Sequence, residues 1–134
     1  MQEIDTVQPY GQTPIAASVL RAAEVLDYRN RAAVIVLLTD GEETCSGNPC
    51  ALADMLKKEG MDTTVHVIGY MVAHASGIPG PYPTRCLPER TGGLFVGAET
   101  KAELVSALRT TLGCAFSSRL ERSELARHTV IVPP

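Results

Sequence analysis

Two oxygen-bearing residues stand out by type and position, Asp40 and Thr13. Asp40 follows Val34-Ile35-Val36-Leu37-Leu38-Thr39 and precedes Gly41. Five consecutive apolar residues, two Val and one Ile among them, read as a strand buried on both faces. Thr39-Asp40-Gly41 reads as the turn that ends it. In an open parallel α/β sheet, ligands bind beyond the carboxyl ends of the strands, so Asp40 occupies a position suited to recognition. Thr13 stands before Pro14 at the head of an amphipathic run, where its hydroxyl reaches the same edge. A hydroxyl and a carboxylate are hard ligands for Mg²⁺ or Mn²⁺, ions that keep several waters and take few protein ligands. The plain alternatives are an Asp that caps the next helix and a Thr that caps its own.

The cysteines allow other chemistry. Cys45 and Cys50 flank Ser46-Gly47-Asn48-Pro49, while Cys86 and Cys114 are far apart in sequence. An even count permits two disulfides without fixing the pairing. The short turn between them predicts Cys45 and Cys50 within disulfide reach, and a second pair, Cys86 with Cys114, is permitted but not required. Zinc fits less well, because the C-x4-C pair has no second close pair and His66, His74 and His128 are scattered. A redox-active pair would have C-x-x-C spacing. A structural disulfide implies an oxidising compartment. His66 lies inside a strand-like run, which is the setting of a satisfied core or edge histidine rather than of a metal ligand.

The chain is 134 residues long, enough for one domain with one core. It is 45% hydrophobic and 20% charged, which permits a folded core. A net charge of −3 without a long basic run argues against nucleic acid as a partner. Apolar runs are strand-sized, so membrane insertion is not expected. Met1-Gln2-Glu3-Ile4-Asp5 is polar and acidic, unlike a signal peptide.

The elements that position these residues follow from periodicity. Ile15, Val19, Ala22, Ala23 and Leu26 form one helical stripe, predicting a helix near 14–27. Asn48-Pro49 repeats the cap-and-Pro signal ahead of Leu52, Ala53, Met55 and Leu56, predicting a helix near 49–59 with Gly60 after its end. Strands are expected near 33–39, 64–70 and 94–97. Residues 71–83 read as a long loop, and 84–90 as a short helical turn strained by Pro88. Thr100 and Glu103 form a capping box for a helix near 101–112 ending at Gly113. Ser118 and Glu121 offer another, and Thr129-Val130-Ile131-Val132 a terminal strand. The alternation implies an α/β sandwich, with parallel strands and helices on both faces.

The joint order of these motifs resembles a known family. Gly11-Gln12-Thr13-Pro14-Ile15, a helix, Ile35-Val36-Leu37-Leu38-Thr39-Asp40-Gly41, then Val65-His66-Val67-Ile68-Gly69-Tyr70 and Thr91-Gly92-Gly93-Leu94-Phe95-Val96 look like the second half of a von Willebrand factor A domain. The likeness covers roughly residues 9 to 112, and residues 113–134 form an extension. Glu42-Glu43-Thr44-Cys45 and Asn48-Pro49-Cys50 are similar to bacterial envelope-type members. The resemblance implies a three-layer α/β/α fold, protein binding and cell adhesion rather than catalysis, and a metal-ion-dependent adhesion site. Thr13 matches the family's Thr ligand and Asp40 its Asp. The metal's open position implies an acidic side chain of a protein partner.

No D-x-S-x-S motif occurs in the chain, so two of the family's five ligands are present. The family's first strand, its helix and the next two strands are expected to be missing, which makes this a truncated form. Weak binding of Mg²⁺ or Mn²⁺ follows. So does a homo-oligomer, because the missing strand would leave the strand at 34–38 with a bare edge unless the tail at 129–132 covers it. The parent protein would be periplasmic or secreted. Two rival readings exist. One is a structural or assembly fragment without metal. The other is a receiver or phosphatase-like domain using Asp40, which would need further acids and a Lys, yet none follows the strand at 64–70 until Glu89.

Overall fold

The computed structural model describes residues 12–41, 45–71, 83–117 and 128–132; for Pro83, 113–117 and 128–132 it describes the backbone alone. In chain order the elements are α1 (Ile15–Val25), β1 (Ala32–Thr39), α2 (Pro49–Glu59), β2 (Asp62–Tyr70), a 3₁₀ turn (Pro83–Arg85), α3 (Cys86–Thr91), β3 (Phe95–Ala98), α4 (Lys101–Ser117) and β4 (His128–Val132). The four strands form one parallel sheet in the order β3-β2-β1-β4. This is a small α/β fold.

Strand alternation divides the core in two. Ala33, Ile35 and Leu37 of β1 and Val65 and Val67 of β2 face the apolar stripes of α1 and α2 and Leu87 of α3. Val36 and Ile68 point the other way, toward Ala107, with Leu104, Leu108 and Leu112 of α4 packed around them. Ile35, Val36, Val65, Val67 and Ile68 are all fully buried, which explains why β1 and β2 read as nearly continuous apolar runs.

Local signals set several boundaries. The Asn48 side chain accepts the Ala51 amide at 3.0 Å, with Pro49 in the first turn of α2. The Thr100–Glu103 capping box closes in both directions at 3.2 Å, and Glu103 also accepts the Glu99 amide at 2.7 Å. Pro88 lies in the first turn of α3, where its missing amide costs the helix nothing. Gly60 ends α2 in an extended conformation, not a left-handed one. A β-carbon there would lie 2.5 Å from both the Leu56 carbonyl and the Thr63 hydroxyl, so close approach is what demands glycine.

Two expectations need correction. The cap position of α1 is Pro14, without a side-chain cap bond, so Thr13 sits one residue outside the cap. Helix α4 continues through Gly113 to Ser117, because one helical glycine costs only about 1 kcal/mol and does not by itself end a helix. The Ser118 and Glu121 capping box lies outside the described residues.

The bare edge foreseen on β1 is occupied by β4. It pairs in parallel from Ala33 opposite His128 to Leu37 opposite Val132. The tail thus supplies backbone partners at that edge without a second copy.

Candidate functional site

The Thr39 side chain shapes the turn that presents Asp40. Its hydroxyl accepts the Gly41 amide at 3.2 Å and donates to the Gly41 carbonyl at 3.0 Å. Thr39 is buried and Asp40 exposed, so the chain folds back on the threonine and projects the carboxylate outward. The sequence pattern located Asp40 without revealing that Thr39 builds its turn. A hydroxyl ending a buried strand two residues before a glycine was the available signal.

Thr13 stands just ahead of α1. That helix joins β1 through the short turn at 26–31 and packs against the strand, so it runs back toward the carboxyl edge. Its start and Asp40 therefore belong to the same edge of the sheet. The two loops meet there, with the Cys45 thiol donating to Oε1 of Gln12 at 3.5 Å. Gln12 adjoins Thr13, and Cys45 follows Asp40 across residues 42–44, which lie outside the described set.

The donor chemistry of Thr13 and Asp40 suits a hard divalent cation, but the donor set is small. Among the described residues, no group of three or more His, Cys, Asp or Glu side chains is arranged to hold a metal. Strand β4 lies beside β1 and ends at the same edge, opposite Leu37. The next residues in sequence, Pro133 and Pro134, carry no side-chain oxygen.

The disulfide expected between Cys45 and Cys50 is corrected. Cys50 bonds Cys86 across 36 residues, with α-carbons 5.2 Å apart. That pairing also excludes Cys86 with Cys114. Cys50 falls in the first turn of α2 and Cys86 at the start of α3, and these helix ends pack together. Cys45 instead meets Gln12 on the α1 side. Just beyond the disulfide, Arg90 donates to the Cys50 carbonyl at 3.1 Å and pairs with Asp54. The even cysteine count was the only sequence signal for Cys86.

His66 is a satisfied core histidine. Its Nδ1 accepts the Leu94 amide at 3.0 Å, which assigns the neutral ring proton to Nε2. Burial lowers its pKa below the usual histidine value. Beside it, the Thr91 hydroxyl accepts the Val65 amide at 2.9 Å and donates to the Leu87 carbonyl at 2.7 Å. These bonds fasten α3 to β2. No helix among the described residues is long and apolar enough to cross a membrane.

No family model matches the chain, and no solved structure matches it. It is similar to two uncharacterized proteins of Bacillus subtilis (strain 168). Identity to YwmC is 42% over 72 residues, covering 52% of this chain and 31% of that protein. Identity to YwmD is 39% over 70 residues, covering 50% of this chain and 31% of that protein. The similarity thus spans about a third of each relative's length.

Proposed function

We propose that the chain is the carboxyl-terminal part of a von Willebrand factor A-type protein-binding module, with Thr13 and Asp40 as the remnant of a metal-ion-dependent adhesion site. The reading rests on the ordered motifs and on the parallel α/β fold. The observation that carries it is the contact of Gln12 with Cys45, which joins the Thr13 loop to the loop behind Asp40. Asp40 and Thr13 would hold Mg²⁺ or Mn²⁺ weakly, the ion keeping most of its waters. The ion supplies a Lewis-acidic position for an acidic side chain of a protein partner. The module binds rather than catalyses. The Cys50–Cys86 bond supports an oxidising compartment, in keeping with a periplasmic or secreted parent.

A structural fragment without metal is the second reading. It is favoured by β4 lying beside β1, where the family's first strand would stand.

Mn²⁺ titration followed by water-proton relaxation separates the two. The binding module gives weak, saturable enhancement that Asp40→Ala abolishes and that an acidic peptide tightens. Identical titrations for wild type and Asp40→Ala select the structural fragment.

A further inference from the structure

We infer that protonation of His66 releases β3 and α4 from β2 as one unit, while β1, β2 and helices α1 to α3 stay folded. The inference is independent of the metal reading. It rests on a buried histidine without a counter-charge, placed under the thinner of the two core layers.

Three consecutive residues of β2 fasten the chain that leads from α3 into β3. The Val65 amide donates to the Thr91 hydroxyl at 2.9 Å, His66 Nδ1 accepts the Leu94 amide at 3.0 Å, and the Val67 amide donates to the Leu94 carbonyl at 2.9 Å. Of these, only the His66 bond involves a group that changes charge between pH 5 and 8. His66 is 6% exposed and lies on the α4 face with Ile68, opposite Val36 of β1. A proton on it brings a charge that no described residue beside it offsets. Strands β1 and β3 carry no charged residue. On α4 the buried positions are Ala107 and Thr111, while Lys101, Glu103 and Arg109 are exposed. Asp62 of β2 and Arg85, Glu89 and Arg90 around α3 are exposed too, and Glu99 is half-buried beyond the far end of β3. Burial alone accounts for the lowered pKa of His66.

The two layers are unequal. On one face, buried side chains of α1, α2, α3, β1 and β2 form a single cluster. On the other, the buried members among the described residues are Val36, Ile68, Ala98 and Ala107, and Leu104, Leu108 and Leu112 of α4 are only partly buried around them. Strand β3 is four residues long and stands at the sheet edge, paired with β2. Regions with few buried apolar contacts open before the rest of a fold. A charged His66 needs water, and lifting the layer that covers it is the least costly way to supply it. The opened state binds a proton with ordinary histidine affinity, so each pH unit below about 6.5 favours opening by up to about tenfold.

Amide hydrogen exchange of the full chain at pH 7.5 and pH 5, read by NMR as protection factors, tests this, because each factor reports the opening of its own hydrogen bond. The amides of Leu94, Val67, Met71 and Leu104 bond to or within the released unit, and those of Leu26 and Met61 bond within the part that stays folded. Between the two pH values the first group should lose about tenfold in protection, while the second group keeps its own. His66→Asn and His66→Gln each offer an uncharged acceptor, so either variant should hold the first group's protection constant with pH. The inference is overturned if wild-type protection at Leu94 and Val67 does not fall. It is overturned as well if Leu26 and Met61 lose as much, because acid then unfolds the whole chain. An equal fall in either variant overturns it too, because another group then carries the effect.

Discussion

The backbone amide of Leu94 donates to Nδ1 of the buried His66 across 3.0 Å, tying the entry of β3 to the middle of β2. The Val67 amide returns the link by donating to the Leu94 carbonyl at 2.9 Å. Only the neutral imidazole can accept that first bond, because protonated Nδ1 becomes a donor facing a donor.

This gives stability a pH dependence of definite sign. Burial lowers the folded pKa of His66, so only well above about pH 6.5, the ordinary histidine value, is the ring neutral in both states and without a slope. Below that, the unfolded chain binds the proton first and stability falls, levelling off once the pH passes below the folded pKa. Urea melts of the wild type between pH 7.5 and 5 should show this loss. His66→Asn keeps an acceptor and cannot titrate, so its slope should be smaller by up to one proton.

Gly92 and Gly93 are adjacent and needed for different reasons. Gly92 has φ +78° with open space where a methyl group would project, so Gly92→Ala should cost about 1 kcal/mol of backbone strain. A β-carbon on Gly93 would lie 1.9 Å from the Val65 carbonyl, so Gly93→Ala must push β2 and the turn apart. Its cost should exceed that of Gly92→Ala, at roughly 3 kcal/mol or more. Chemical denaturation of both variants should rank them in that order.

Asp40 and Thr39 should separate presentation from stability. Asp40 is exposed, so Asp40→Ala should change unfolding free energy by less than about 0.5 kcal/mol. Thr39→Val removes the hydroxyl that makes both bonds to Gly41, and should cost about 1–2 kcal/mol. Amide chemical shifts of Gly41 should move in Thr39→Val and stay nearly fixed in Asp40→Ala.

Removing 128–134 should uncover β1. The deletion exposes backbone groups along an apolar strand that β4 now pairs. Sedimentation velocity should then show concentration-dependent association beyond that of the full chain.

The sequence by itself determined the elements whose causes are local. The apolar run at 34–38, the Asn48-Pro49 cap and the Thr100–Glu103 box each act within a turn or two of their own residues, and strands and helices fall where they indicate. The position of Asp40 at the carboxyl end of β1 follows from the same local pattern. Tertiary structure decided whatever depends on distances between remote segments. Cys50 bonds Cys86 rather than Cys45 because α2 and α3 pack their starts together, which loop length alone does not reveal. His66 is satisfied by Leu94, 28 residues away, through the placement of β3 beside β2. The edge of β1 is covered because α4 carries the chain from β3, at one edge of the sheet, to β4 at the other. A terminal strand is legible as a strand, but the neighbour it joins is chosen by which edge packing leaves open.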